Sequence, residues 1–337
     1  MDLRPRHHVF DAYWRFAAER QAIFFRRFRG EPPPWSDDPI LQAFKFCNAY
    51  RASDRVSQFL IRSVIYEPRL SPEDTLLRII LFRLFSKIET WHLLESAHGR
   101  IDAASFDPAA FDVTLEAALD RGQTIYTNAF ILATSQVFGH RRKHRNHLAL
   151  VSSMMRDGLA QKVARARGLG ELFRLLIQYP MIGPFMAYQL AIDINYSELT
   201  DFDEDEFTMP GPGAERGIRK CFVSTGSWSM LHVIQWMVEY QSDEFARLGV
   251  EFRSLWGRHL HAIDCQGLFC EIDKYSRAAF PELRSNRVRI KTSFAPTPTP
   301  IAPFYPPKWG LNDAIEIERA AYPTGSLTSQ PIQLVLP

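Results

Sequence analysis

The stretch that decides the fold is "YPMIGPFMAYQLAIDIN", residues 179–195. Pro180 and Gly183 enclose two apolar residues, and Pro184 stands where a new helix would begin. Gly183 can adopt backbone angles that other residues resist, and proline is favoured in the first turn of a helix. The pattern predicts a helix-hairpin-helix over residues 171–194, in which a tight turn joins two helices.

A turn of this kind has two interpretations. The N–H groups at the start of its second helix suit it to hold a DNA phosphate without reading sequence, which makes Ile182, Gly183 and Phe185 candidate DNA contacts. The alternative is a small-residue turn between two core helices, with no ligand. The stretch alone leaves both interpretations open.

Helical periodicity dominates the rest of the sequence, with almost no alternation typical of strands. The clearest helix start is Ser71, a capping residue followed by Pro72 and two acids. Helical patterns cover about residues 8–29, 38–66, 109–136, 143–167, 169–178, 184–194, 226–247 and 249–264. We therefore predict an all-α fold in a helical domain of residues 1–294. Repeated prolines predict an extended tail over residues 295–337.

The composition is that of a globular protein with a sizeable core. The 337 residues are 46% hydrophobic and 23% charged, and no apolar run is long enough to cross a bilayer. The N-terminus lacks the apolar core of a signal peptide, so we expect a cytoplasmic protein with no membrane partner. The four cysteines form no C-x-x-C pair, and we predict no metal site and no cofactor.

Positive charge is concentrated just before the hairpin. Residues 139–168 contain eight lysines and arginines against one acid. A charge run is often only a solvated helix face, but its position beside the hairpin favours a double-stranded DNA partner. The candidate DNA-binding residues in this segment are Arg141, Arg142, Lys143 and Arg145.

An acidic segment follows the hairpin. Asp203 lies 22 residues after Met181, within a run that also contains Glu204, Asp205 and Glu206. The run does not match the calcium loop of an EF-hand, because Pro212 stands where the closing glutamate is required. A hairpin of the form "YPMIG-F-A" followed at this interval by an aspartate resembles the helix-hairpin-helix DNA glycosylase superfamily.

Three further blocks carry a more specific resemblance. Residues 34–61, 201–222 and 260–277 resemble the α-glutamyl/putrescinyl thymine pyrophosphorylase group, also called amino acid:DNA transferases, which modify thymine in phage DNA. The likeness covers about residues 8–294. Phe185 occupies the position at which bifunctional glycosylases carry a lysine, so the resemblance implies a monofunctional enzyme.

The resemblance places an aspartate opposite the sugar of an extruded nucleotide. A carboxylate there stabilises positive charge on the sugar or orients a water molecule, and we assign this catalytic role to Asp203, with Asp205 as the second choice. Asn48, Arg51 and Arg55 fall on one face of a predicted helix, with Asp54 beside them. They either contact the substrate or form an internal salt-bridge ladder. Further candidate substrate contacts are Gln266, Glu271, Lys274 and Tyr275.

These observations predict a base-flipping enzyme acting on DNA. The first expectation is a glycosylase that hydrolytically removes a base derived from 5-hydroxymethylpyrimidine, with a role in defence against phages whose DNA is modified. One alternative is a transferase that displaces pyrophosphate from 5-pyrophosphomethyluracil in DNA with an amino acid or polyamine. A second alternative is a non-catalytic reader of modified DNA.

Overall fold

A computed structural model of the chain describes residues 3–66, 70–127, 136–283, 290, 292–297 and 301–322. The all-α prediction is confirmed for these residues, whose only two strands, β1 and β2, pair antiparallel. The strands are Arg4–Pro5 and Phe222–Ser224. The helices α1–α15 are, in order, His7–Phe28, Pro39–Ala43, Arg55–Phe59, Pro72–Phe85, Ile88–His98, Pro108–Asp120, Lys143–Arg156, Leu159–Val163, Leu169–Leu176, Pro184–Asn195, Pro212–Cys221, Met230–Glu239, Gln241–Arg247, Ala262–Ala279 and Asn312–Ala321. No helix in these ranges is long and apolar enough to cross a membrane.

Local signals set the start of several helices. Ser71 caps α4 in a reciprocal capping box with Asp74, as predicted, and Pro72 occupies the first turn. Asp38 caps α2 through the backbone N–H groups of Ile40 and Leu41. The predicted helix over residues 143–167 divides into α7 and α8, because Gly158 between them has a φ of 67°.

The hairpin consists of α9, a tight turn and α10. Pro184 begins α10, as predicted, but the expectation that Gly183 takes the unusual backbone angle is wrong. Gly183 has a φ of −83°, and Met181 has the left-handed φ of 67° instead. The Tyr179 hydroxyl donates a hydrogen bond of 2.6 Å to Asp157 Oδ2, which fixes the turn against the segment between α7 and α8.

The continuous helix predicted over residues 38–66 is wrong. After α2 the backbone leaves the helix, forms a 3₁₀ turn at Arg51–Ser53 and re-enters helix at α3, which continues as a π-helix over Leu60–Tyr66. Side chains compete for the backbone in this stretch, since the Asn48 N–H donates to Asp54 Oδ1 at 2.8 Å and the Asn48 amide donates to the Ser53 carbonyl at 2.7 Å.

Three other predictions of extent need correction. The helix predicted over residues 109–136 ends at Asp120, and residues 128–135 lie outside the described part of the chain. Residues 249–261 are not helical, and α14 begins only at Ala262. The tail after residue 294 is not extended throughout, because its described part contains a 3₁₀ turn at Pro307–Trp309 and helix α15. This part packs on the domain: Tyr305 is fully buried, and Lys308 Nζ donates to the carbonyls of Ser197 (2.8 Å) and Thr200.

Helices α11 and α14 approach each other more closely than side chains normally allow. A Cβ atom at Gly217 would lie 1.9 Å from the Phe269 carbonyl oxygen, and one at Gly213 would lie 2.4 Å from the Cys270 Sγ atom. The spacing of four residues puts both glycines on one face of α11. The contact therefore requires glycine at position 217, where the neighbour is backbone, whereas a larger residue at position 213 would displace the Cys270 side chain.

A buried ion network joins the hairpin to the rest of the domain. Asp193 of α10 has no solvent exposure, and its Oδ1 atom accepts from Arg51 Nη2 at 2.8 Å and from Arg83 Nη2 at 2.9 Å. Arg51 also donates to Gln189 Oε1 at 3.0 Å and to Tyr196 Oη at 3.1 Å. Although burial alone would lower the pKa of Arg51, the Asp193 carboxylate raises it above its ordinary value.

We predict that Gly217→Ala destabilises the protein by about 2–4 kcal/mol, because the new methyl group collides with backbone that cannot move away easily. Gly267→Ala is the matched control, since a Cβ atom at this glycine of α14 meets nothing within 4 Å. Alanine is the better helix former, so this control stabilises the helix by up to about 1 kcal/mol. Urea unfolding measures the stability of both variants. Equal unfolding midpoints for Gly217→Ala and Gly267→Ala would disprove the close contact.

We predict that Asp193→Asn costs about 3–5 kcal/mol, because it leaves two arginines without the negative charge that compensates their burial. Glu89→Gln is the control: its carboxylate lies 3.9 Å from Arg55 Nη1 in a pair whose side chains are both more than half exposed. That exchange changes stability by less than about 0.5 kcal/mol. Thermal and urea unfolding would contradict the network if the two variants were equally stable.

Candidate functional site

The acidic loop, residues 201–206, is held between α9 and α14. Glu206 accepts hydrogen bonds from the backbone N–H groups of Leu169 and Gly170 at the start of α9. Glu204 accepts from Arg258 Nη2 at 2.6 Å. Asp203 is exposed, and its Oδ1 atom accepts from the N–H of Asp205 at 2.9 Å. The loop is therefore a fixed part of the fold.

Asp205 is the most connected carboxylate of this loop. Its Oδ1 atom accepts from the Ala262 N–H at 2.8 Å, at the first residue of α14. Its Oδ2 atom lies 2.8 Å from His261 Nδ1 and 3.4 Å from His259 Nε2. Asp264, on the first turn of α14, accepts from the Arg51 N–H at 2.7 Å. Acidic and imidazole groups thus gather at the start of this helix.

Burial and hydrogen bonding act in opposite directions on these groups. Burial would raise the pKa of Asp205, but hydrogen bonds from the two imidazoles and the Ala262 N–H lower it below its ordinary value. Burial would lower the pKa of His261, and the hydrogen bond to Asp205 raises it. Burial raises the pKa of Asp264 to about 6. An ionised Asp205 beside a readily protonated imidazole follows from these shifts.

A second feature is a polar side chain close to the start of α10. Gln266 of α14 is 5% exposed, and its amide makes no hydrogen bond within the described ranges. Gly211 lies beside it: a Cβ atom there would stand 3.5 Å from Gln266 Nε2 and 2.8 Å from Phe185 Cδ2. Phe185 is 37% exposed. An amide without a partner therefore adjoins an aromatic side chain that reaches the surface.

The basic segment divides into two parts. Arg142 and Arg145 bind acids of α6: Arg142 pairs with Glu116, and Arg145 Nε lies 2.8 Å from Asp112 Oδ1. Arg141 is exposed, and Lys143 lies over the Tyr126 ring at 4.5 Å. Much of the charge that the sequence presents here is thus neutralised within the protein.

The other part of the basic segment adjoins the hairpin. Arg165 and Arg167 lie between α8 and α9, and Arg174 lies on α9. All three side chains are exposed, and none pairs with an acid in the part of the chain that the structure describes. Glu171 is the nearest acid in the sequence, and its carboxylate binds the Arg167 backbone N–H at 3.0 Å. These arginines place exposed positive charge before and along the first helix of the hairpin.

The structure separates the predicted substrate contacts of the first family block. Asn48 and Asp54 bond to each other, Arg51 belongs to the buried network around Asp193, and Arg55 lies on the surface with 68% of its side chain exposed. They share no face, because the expected helix is interrupted between them. A role in substrate binding stays a prediction for these residues.

The predicted contacts of α14 also separate. Lys274 Nζ lies 2.7 Å from Glu271 Oε1, and the Tyr275 hydroxyl donates to Asp38 Oδ2 at 2.7 Å. The first contact lies within α14, the second joins α14 to the cap of α2, and both occupy the polar atoms concerned. Of this group only Gln266 keeps an amide without a partner among the described residues.

Sequence reasoning missed His259 and His261. Their signal is the H-x-H spacing in "RHLHAID", residues 258–264. Two imidazoles two residues apart on an extended segment can point to the same side. The third group, Asp205, lies 54 residues before His259 in the chain, so only the fold reveals that they meet.

Comparisons with known proteins identify the family. A family model described as "5-hmdU DNA kinase, helical domain" matches residues 7–285. The 5-hmdU DNA kinase of Bacillus phage SP10 is 28% identical over 288 residues, which cover 79% of this chain and 45% of that protein. The chain thus spans less than half the length of this curated relative. No solved structure matches the chain significantly.

These findings overturn the predicted reaction. The expectation of a DNA glycosylase that hydrolyses the base–sugar bond is wrong, because a kinase transfers a phosphoryl group. The catalytic roles given to Asp203 and Asp205 in base removal are withdrawn with it. The transferase alternative is nearer in class, but its displacement of pyrophosphate is not the reaction in the relative's name. What is confirmed is kinship with a phage enzyme of modified DNA: the chain belongs to the family of 5-hmdU DNA kinase helical domains.

Proposed function

We propose that this chain binds DNA containing 5-hydroxymethyluracil and presents the hydroxymethyl group for phosphorylation. The family match over residues 7–285 carries the proposal. The hydroxyl of the 5-hydroxymethyl group is the one hydroxyl on this base, so it is the acceptor that a kinase requires. We assign binding of the DNA substrate to this chain. We assign no residue to binding of the phosphoryl donor, because the sequence contains no G-x-x-x-x-G-K-[ST] phosphate loop.

The hairpin and the arginines beside it supply the surface for the duplex. Arg165 and Arg167 precede the first helix of the hairpin and Arg174 lies on it, and all three are exposed. Arginine and a helix N-terminus both bind phosphate without reading sequence. A duplex would contact these arginines together with Ile182 and Gly183 at the turn.

The Gln266 amide, close to the start of α10, supplies a contact for the modified base. An extruded uracil presents an N–H donor next to carbonyl acceptors, and the carboxamide of glutamine complements that pair with one acceptor and one donor. Phe185, whose side chain reaches the surface, borders this position. The amide of Gln266 has no partner in the part of the chain described here, so the base would satisfy a polar group that the fold leaves open.

Kinship with the thymine pyrophosphorylase group, and through it with the helix-hairpin-helix glycosylases, stays a prediction about ancestry and fold. It rests on the sequence blocks 34–61, 201–222 and 260–277. The two helices around Met181 support it, since the turn between α9 and α10 has the expected order of elements.

Binding of matched duplexes tests the proposed function. Two labelled duplexes of one sequence, one with 5-hydroxymethyluracil and one with thymine, are titrated with the full chain. We expect tighter binding of the modified duplex, and equal affinity for both would disprove recognition of the base. Incubation with ATP and mass spectrometry of the nucleosides then shows whether the chain alone adds phosphate or acts only with a donor-binding partner.

We predict that Gln266→Leu lowers the affinity for both duplexes by about 1–3 kcal/mol, the usual worth of a bidentate contact to a base, because thymine presents the same N–H and carbonyl groups as 5-hydroxymethyluracil. Leucine has a similar size but forms no hydrogen bond. The salt dependence of binding is unchanged, because the phosphate contacts remain. Gln123→Leu is the control, since it makes the same exchange at an exposed position. Unchanged affinity in Gln266→Leu would exclude this glutamine from base recognition.

We predict that replacing Arg165, Arg167 and Arg174 together by alanine weakens binding to both duplexes alike. The slope of log affinity against log salt falls by about 0.9 for each phosphate contact that is lost. A variant with alanine at the exposed Lys45, Arg62 and Arg121 removes the same charge elsewhere on the surface. Equal salt slopes for the two variants would place the DNA elsewhere.

A further inference from the structure

We propose that Asp205, His259 and His261 bind a divalent transition-metal ion. One ligand atom from each lies within 4.8 Å of the other two. The Asp205 Oδ2 atom stands 2.8 Å from His261 Nδ1 and 3.4 Å from His259 Nε2. Two imidazoles and one carboxylate form a set that nitrogen-binding metals favour. The site is independent of the proposed kinase function.

The separations fit metal coordination. Metal–nitrogen and metal–oxygen bonds of about 2.0–2.1 Å at tetrahedral angles put neighbouring ligand atoms about 3.3 Å apart. The distance from Asp205 to His259 already has this value at 3.4 Å. The distance from Asp205 to His261, now 2.8 Å, needs to widen by only about half an ångström. Three protein ligands leave a coordination position for water or substrate.

The carboxylate is held in place for this role. The second oxygen of Asp205 accepts from the Ala262 N–H at 2.8 Å, and its backbone carbonyl accepts from Gln235 Nε2 at 3.0 Å. Outer contacts of this kind orient the ligands in metal sites. The Asp205 and His261 side chains are 26% and 12% exposed, whereas His259 is 56% exposed.

The presence of His259 distinguishes this cluster from a carboxylate that only caps a helix. A carboxylate that caps α14 and pairs with His261 needs no second imidazole. His259 nevertheless lies beside them, with its ring centroid 4.2 Å from that of His261. Two imidazoles at this distance repel each other when both are protonated, and a shared metal ion removes that repulsion.

A second cluster serves as a contrast. Asp112, Glu116 and His144 also bring three potential ligand atoms together. There, however, Arg145 Nε lies 2.8 Å from Asp112 Oδ1, and Arg142 pairs with Glu116. The guanidinium groups already supply the positive charge that a cation would bring. At Asp205 the nearby guanidinium of Arg258 is instead bound to Glu204, at 2.6 Å.

Cobalt titration of the full chain, without an affinity tag, tests the site. We expect one Co²⁺ ion per chain with visible d–d absorption and no thiolate-to-cobalt charge-transfer band, followed by displacement with Zn²⁺. The missing band distinguishes the site from one at Cys47, the cysteine whose side chain is exposed. A thiolate band, or no absorption change at millimolar Co²⁺, would overturn the proposal.

The variant His259→Ala identifies the ligands. Loss of an outer contact costs ten- to a hundredfold in metal affinity, so loss of a ligand costs at least about a hundredfold. The exposed position of His259 leaves folding intact, which circular dichroism checks. His92→Ala is the control, since His92 is equally exposed and lies 3.8 Å from Glu95 without a second imidazole. Unchanged affinity in His259→Ala, or equal loss in both variants, would reject the site.

Discussion

The Asp193 carboxylate is the interaction on which the arrangement of the domain depends. It sits without solvent between α10, the 3₁₀ turn that contains Arg51, and α4, which contributes Arg83. Removing such ions from water costs several kcal/mol each, and the attraction compensates this only when the geometry is complete. The ion pairs of this network therefore form in only one relative arrangement of α10, the 3₁₀ turn and α4. Through the Arg51 N–H it also reaches Asp264, and so the start of α14.

This coupling connects the two surfaces proposed to bind DNA. The hairpin turn leads into α10, whereas Gln266 belongs to α14, and the two helices are separated by more than 60 residues of sequence. The Asp193 network and the close contact of α11 with α14 at Gly217 hold them in register. A base at Gln266 and a phosphate at the turn would thus meet a preorganised surface.

The sequence predicted what local chemistry determines. Ser71, Pro184 and the period of the apolar residues identify helix starts because capping and burial act within a few residues. It did not predict contacts whose partners are distant. Arg51 has helical spacing to Asn48 and Arg55, but the side-chain bonds of Asn48 break that helix. His259 and His261 form a cluster with Asp205 only in the folded chain. The basic run from Arg141 likewise could not show that acids of α6 pair with two of its arginines, Arg142 and Arg145.

The position of Lys308 bears on how this family should be divided into modules. The family match ends at residue 285, yet Lys308 binds the carbonyls of Ser197 and Thr200, at the entrance to the acidic loop. Tyr305 fills the core and bonds to Ser53 Oγ at 2.6 Å. The segment around Tyr305 and Lys308 thus packs on the matched region from outside the family match. A fusion or exchange of residues 7–285 alone would remove these contacts, so it should include the segment through Lys308.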